Sequence, residues 1–389
     1  MRHTGSGYVI FPVTLFFFLS ASLPGLAETT RVLLSEDSTT SRLTVYDGES
    51  FEMSGRISLP ADRIGAPVMA ADGHSMFLLS RDGWVRHYDL ETLTEVAQVR
   101  AGRVSTGIAL SSDEEWLAVA NAEPQTLTIL STTDLSVADT LDIEDKHGTT
   151  SGVLGVYTRP TDESFILALA DAPEIWEVFY GANPPFYGFV HDYRIEGPPP
   201  EAEAFPMRRI TVPERLESLT FDPSHEYIIA AKQDGTGAVV VDLVIGHKIA
   251  DLALPDRPRP DQGVTWQDGP STLMAVPYQG AAVLSLIDLK AWEPLAAIPL
   301  DGRLRALYSH ETSPYLWALL LSDPNKNAVH VIDKRSRERV EIVQSDAMIS
   351  DVAFTSDGTY VIISLLTEDG AVVVLNAKTL ERSKRPSIQ

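Results

Sequence analysis

The sequence predicts an all-β fold, an eight-bladed β-propeller with seven blades as the runner-up, and three observations predict it. A four-strand pattern recurs along the chain, its copies repeat at roughly the 40 to 45 residues of a propeller blade, and no amphipathic helical periodicity lies between the strands to supply crossovers. With 44% hydrophobic residues in a chain of 389, there is ample apolar side chain for a large core.

Each copy reads as an apolar strand, an Asp/Ser/Gly turn, a second apolar strand, a polar turn, a third strand closing near Asp, and a fourth. The first turn is Ala71-Asp72-Gly73, Ser112-Asp113-Glu114, Thr161-Asp162-Glu163, Asp222-Pro223-Ser224, Gln267-Asp268-Gly269 and Ser356-Asp357-Gly358 in six of the copies. Third strands close as Tyr88-Asp89-Leu90, Val241-Asp242-Leu243, Ile287-Asp288-Leu289 and Ile332-Asp333-Lys334. First strands are expected to begin near Val68, Gly107, Val153, Leu219, Gly263, Leu304 and Asp351, at spacings of 39, 46, 66, 44, 41 and 47 residues.

Seven complete units fill residues 66 to 385, and Arg31 to Ser58 adds three apolar segments, a blade without its inner strand. The tail from Ser383 to Gln389 is short and polar for a closing strand, so the ring either closes imperfectly or takes Val32 to Leu34 at the inner position. The 66-residue spacing holds an insertion, 180–208, in which Pro198-Pro199-Pro200 and several glycines interleave with Phe186, Tyr187, Phe189, His191 and Tyr193. It reads either as a surface excursion or as a lid over one mouth.

The N-terminus carries Arg2, an apolar run from Val9 to Leu19, and Gly25 and Ala27 at the small-residue positions of a cleavage site. Residues 1–27 therefore read as a secretory signal peptide and 28–389 as a single propeller domain in the periplasm. The run is broken by Pro12 and falls short of the roughly 20 residues a spanning helix needs; no later stretch is apolar enough to span a membrane.

The formal charge of −23 repels phosphate backbones, so nucleic acid is an unsuitable partner. Cysteine is absent, which removes disulfides, thiolate metal sites, thiol nucleophiles and thioether attachment of a c-type haem. No Gly-x-Ser-x-Gly elbow, zinc helix or phosphate-cradling loop occurs; Asp234-Gly235-Thr236-Gly237 reads as a hairpin turn.

A propeller places its ligand on the axis, where loops of all blades converge. His191 in Phe189-Val190-His191-Asp192-Tyr193 and His310 in Tyr308-Ser309-His310-Glu311 each adjoin a carboxylate and are the candidate iron ligands; the other histidines, His147 in its polar loop included, read as structural or solvated. Arg63, Arg103, Arg259 and Arg305 all fall at the start of first strands. In so acidic a chain they form either a locally positive ring for the carboxylates of a planar anion or ordinary loop ion pairs.

Glu174-Ile175-Trp176-Glu177-Val178, the Phe189 to Tyr193 loop, Gly263-Val264-Thr265-Trp266, Ser309-His310-Glu311 with Tyr315 and Trp317, and Val329 to Lys334 together resemble the cytochrome d1 haem-domain propellers. That family includes the d1 half of cytochrome cd1 nitrite reductase and the NirF-type proteins of haem d1 biosynthesis. The resemblance implies an eight-bladed periplasmic propeller with a central pocket for a noncovalent haem d1 or dihydro-haem d1, in a denitrification setting, with Trp266 and Tyr278 beside the cofactor. The chain departs from the family where a proximal His is expected, having Ile64-Gly65-Ala66, and where distal His residues are expected, having Arg259 and Tyr278. With no c-type haem, it is not a self-sufficient nitrite reductase. The expected function is binding of haem d1 or its precursor during biosynthesis or delivery, with cytochrome cd1 or other assembly proteins as partners. A role in the last steps of haem d1 formation stays open, and the alternative is a cofactor-free protein-interaction platform.

Overall fold

The computed structural model describes residues 31–35, 42–47, 53–71, 73–184, 204–255, 257–321, 328–355, 357–365, 367 and 372–383. Among them every sheet is an antiparallel meander in sequence order, and the only helical pieces are two 3-10 turns, Pro160–Asp162 and Pro260–Gln262. Sheet 1 has three strands, Arg31–Ser35, Arg42–Asp47 and Met53–Ser58. Sheets 2 to 7 have four strands each, with first strands Arg63–Met69, Val104–Leu110, Val153–Arg159, Leu216–Phe221, Val264–Asp268 and Leu304–Ser309. Sheet 8 has three, Ile349–Phe354, Tyr360–Leu365 and Val372–Asn376, followed by an isolated bridge between Leu375 and Arg382.

The sheets pack face to face in chain order, each pair closing over its own apolar cluster, and first strands of successive sheets lie against one another. That arrangement is consistent with a propeller and explains the residue patterns. Second strands such as Ser164–Leu169 and Tyr227–Lys232 are apolar almost throughout because both faces meet a neighbouring sheet. Fourth strands sit at an open edge and alternate instead, as Thr94–Arg100 does.

Those edges are blunted in a uniform way. The pairing of third with fourth strands skips Val96, Ala138, Ile249, Leu295 and Val340, one extra residue in each of five sheets. A bulge kinks and twists an edge strand, which spoils it as a template for another chain's strand. It also accounts for the exposed Val96, Ile249, Leu295 and Val340.

Sequence and structure differ at boundaries. First strands begin up to five residues before the expected positions, at Arg63 rather than Val68 and Val104 rather than Gly107, because register shifts near their starts interrupt the alternation that apolar patterning follows. The expected insertion ends earlier, since Met207 and Arg208 pair with Val178 and Glu177 in the fourth strand of sheet 4. Its residues 185–203, with His191, and the 1–27 signal lie outside the described residues.

Candidate functional site

Strand direction sorts the polar residues between two ends. First strands run from one end to the other, second strands return, third strands run out and fourth strands return. Whatever opens a first strand therefore shares an end with whatever follows a second strand. Six sheets close this end with a backbone hydrogen bond between the start of the first strand and the end of the second: the second-strand end donates in Arg81 N–H to Asp62, Ala170 N–H to Gly152, Gln233 N–H to Arg215 and Leu321 N–H to Arg303, and accepts in Arg103 N–H to Glu123 and Arg259 N–H to Pro277, at 2.7 to 2.9 Å.

Arginine marks that repeated position. The four expected from sequence, Arg63, Arg103, Arg259 and Arg305, are all on this end, and Arg81, Arg215, Arg257 and Arg303 join them. Sequence reasoning missed the second four because Arg81 follows a second strand and Arg215, Arg257 and Arg303 precede their first strands by a residue or more. Arg103 Nη2 stands 3.8 Å from Glu123 with both side chains mostly exposed, and Arg257 Nη1 stands 3.6 Å from Glu217. Such pairs contribute little and can exchange their carboxylate for another. Arg259 is committed, donating from Nε and Nη2 to Asp261 at 3.1 and 2.7 Å.

First strands bulge here as well. Pairing with second strands skips Thr106, Leu154, Glu217, Arg305 and Ser350, each near the start of its strand. A bulged residue leaves the two-face alternation, which at a rim re-aims its side chain. This puts Arg305 and Glu217 in comparable positions on sheets 7 and 5. In sheet 6 the 3-10 turn Pro260–Gln262 takes the place of the bulge and packs against the first strand of sheet 5. Burial, aided by the charge of Asp261, pushes the phenol of Tyr157 on sheet 4 up to about 12.

The structure does not gather the other sequence candidates at this end. His310 follows the first strand of sheet 7, so it lies at the far end, five residues or about 17 Å of strand from Arg305. Its Nδ1 accepts the Thr312 N–H at 3.3 Å and its ring lies 5.6 Å from Phe354. Trp266 is buried in the cluster between sheets 6 and 7, and Lys334 Nζ sits 6.0 Å from its ring centroid. Tyr278 is at the arginine end but buried between sheets 5 and 6, its hydroxyl 2.5 Å from Ser285 Oγ. Of the described histidines, His147 alone lies in a loop at the arginine end, exposed and donating its N–H to Asp145 at 2.8 Å. No cluster of three metal-ligating side chains occurs among the described residues.

For a flat carboxylate-bearing tetrapyrrole, this donor set fits at its charged periphery: arginines recur at one end, two of them, Arg103 and Arg257, in weak pairs that a ligand carboxylate can replace. Fold and site thus define an all-β, propeller-type protein with arginines recurring at one end of its sheets. The chain belongs to the cytochrome D1 heme domain family, which matches residues 30–194 and 199–389. It is 32% identical over 345 residues to the dihydro-heme d1 dehydrogenase of Pseudomonas aeruginosa, covering 88% of this chain and 66% of that protein, so it spans slightly under two thirds of the relative's length. NirF of Stutzerimonas stutzeri is 24% identical over 361 residues, 89% of this chain and 86% of that one. The solved structure of dihydro-heme d1 dehydrogenase NirN in complex with DHE superimposes with a TM-score of 0.80 at 32% identity, covering 91% of this chain and 72% of that one. No helix among the described residues is long and apolar enough to cross a membrane.

Proposed function

We propose that this chain is an eight-bladed propeller, exported to the periplasm by residues 1–27, that holds haem d1 or dihydro-haem d1 noncovalently and acts in haem d1 formation or its delivery to nitrite reductase. The observation that carries the reading is the 32% identity, over 88% of the chain, to a dihydro-heme d1 dehydrogenase, together with the fold shared with the dihydro-heme d1 dehydrogenase NirN solved in complex with DHE. The arginine end supports it physically, because carboxylates are the one charged feature common to such macrocycles and Arg binds them with paired donors. Arg63, Arg103 and Arg305, with Arg81, Arg215, Arg257 and Arg303, are the contacts for those carboxylates; Arg259 anchors the turn beside them. Cytochrome cd1 or another haem d1 assembly protein is the partner that receives the cofactor.

Titration of the purified protein with haem d1 and, separately, with dihydro-haem d1 tests the proposal. A saturable shift of the Soret band at micromolar protein is expected for at least one of them. An unchanged spectrum with both overturns it and leaves the interaction-platform reading.

A further inference from the structure

Asn121 is fully buried on the second strand of sheet 3, Trp116–Glu123, at a position where the strand is otherwise apolar. Leu117 and Val119, which share its face by strand alternation, belong to the apolar cluster between sheets 2 and 3 with Phe77, Leu79 and Val85. Asn121 ends that row at the arginine end. It is directly opposite Ser105 on the first strand and Thr126 on the third, both buried.

Its amide is fully engaged. Ser105 Oγ donates to Oδ1 at 2.6 Å, and Nδ2 shares its two hydrogens among Thr128 Oγ1 at 3.0 Å, Thr126 Oγ1 at 3.1 Å and the Ala101 carbonyl at 3.2 Å. Thr128 Oγ1 donates to the same carbonyl at 3.2 Å. Ala101 opens the connection Ala101-Gly102-Arg103 from sheet 2 to sheet 3, so the amide reaches outside its own sheet and grips that connection.

The approach is as close as bare backbone allows. A Cβ at Gly102 would fall 2.5 Å from Asn121 Oδ1, and one at Gly83 would run into the Gly102 carbonyl oxygen. Gly83, at φ +87°, closes the turn Arg81-Asp82-Gly83 after the second strand of sheet 2. The Ala101 N–H donates to the Gly83 carbonyl at 2.8 Å, the Ser105 N–H to the Arg81 carbonyl at 3.0 Å, and the Arg103 N–H to the Glu123 carbonyl at 2.7 Å. The two backbone segments that carry Arg81 and Arg103 are thereby joined to each other and to Asn121, while both arginine side chains stay exposed.

We infer that Asn121 is a positioning residue: through Ser105 and the Ala101-Gly102 backbone it fixes the two segments from which Arg81 and Arg103 reach a ligand carboxylate. A buried polar network specifies one arrangement, because any carbonyl or hydroxyl that slips out of it is left unpaired. A base fixed beforehand also spares the ordering cost that a loose turn would add on binding. The use of the two arginines rests on the proposed function; the fixed backbone does not.

Hydrogen exchange of the ligand-free full chain tests the backbone. In Asn121→Ala the Ser105 and Arg103 amides are expected to exchange about 10-fold faster or more, while the strand amides of sheets 5 and 6 keep their parent rates; unchanged rates at Ser105 and Arg103 overturn the inference. Soret titration with haem d1 tests the positioning. Arg81→Gln is expected to weaken binding by about 10-fold in the parent and by about 3-fold or less in the Asn121→Ala background, where the guanidinium is no longer held in place. A residue that only stabilises the fold leaves the cost of Arg81→Gln the same in both backgrounds, and that result overturns the positioning role. If Asn121→Ala fails to fold, Ser105→Ala, which keeps the backbone N–H and removes only the hydroxyl on Oδ1, replaces it in both measurements. A parent that binds no haem overturns the proposed function, and the exchange rates then decide the fixed backbone by themselves.

Discussion

Arg159 and Glu177 meet at 2.6 Å in the interior of sheet 4, with only 2% and 0% of their side chains exposed. Ser164 donates to the same carboxylate oxygen at 2.9 Å, and Arg159 also reaches Asp162 at 2.7 Å and the carbonyl of His225 at 2.9 Å. Arg208 Nη1 stands 3.5 Å from the other oxygen of Glu177 and donates to the carbonyl of Leu243 at 2.7 Å. His225 and Leu243 belong to sheet 5, so one buried ionic network ties two sheets together.

Removing Arg159 leaves the buried Glu177 with only Ser164 and the longer 3.5 Å contact to Arg208, and strips its close charge partner. Arg159→Met is therefore expected to destabilise by about 3 to 5 kcal/mol, whereas Arg159→Met with Glu177→Leu recovers part of that loss. Chemical denaturation midpoints of the two variants and the parent give the comparison. A single variant as stable as the parent contradicts the network's role.

Lys334 yields a pH prediction. Its ammonium donates to the carbonyls of His310 and Ser313 at 2.9 and 2.6 Å, and burial pushes it down from 10.5 to about 8. Between those two values the unfolded chain holds a proton that the folded chain has released, so stability rises with pH across the window, by on the order of 3 kcal/mol. Below pH 8 both states are charged and the effect is flat. Lys334→Met is expected to flatten the slope between pH 8 and 10.5 in thermal melts, relative to the parent.

At the proposed site, Arg305→Gln is expected to weaken haem d1 binding by about 10-fold or more, the scale of a charge-assisted hydrogen bond. Arg103→Ala, whose side chain is largely exposed, costs roughly half that in free energy and fades at high salt. Soret titrations at low and high ionic strength measure both. Equal affinities for parent and Arg305→Gln would move the ligand away from this end.

His310→Ala tests the end of the sheets opposite the arginines. Since His310 lies at the far end, with Nδ1 3.1 and 3.3 Å from the Thr312 hydroxyl and N–H and its ring 5.6 Å from Phe354, its loss is expected to lower stability slightly and to leave haem d1 affinity unchanged. A lost or shifted Soret band in this variant would put the iron at the far end instead.

Much of the architecture was legible without coordinates. The Asp-containing turns and the apolar runs between them mark each meander because a strand packed on both faces must be apolar throughout and its turns must supply their own hydrogen-bond acceptors. Asp242 and Asp288 show this: each accepts backbone N–H groups two and three residues on. The arginines were half legible, since Arg63, Arg103, Arg259 and Arg305 repeat relative to the first strand, but Arg81 and Arg215 become equivalent only through the backbone bonds that close each sheet.

What the sequence determined by itself is the repeated unit: strand, turn, strand, with its spacing, its acidic surface, its lack of thiols and its family likeness, all properties of neighbours along the chain. Tertiary structure alone decided which residues share an end and which share an interface. Antiparallel strands send Arg305 and His310, five positions apart, to opposite ends, while packing of separate sheets joins Tyr308 to Asp351 across 43 positions. Side-chain chemistry sets what a group can do, but only the closed geometry of neighbouring sheets sets what it can reach and how much water it keeps.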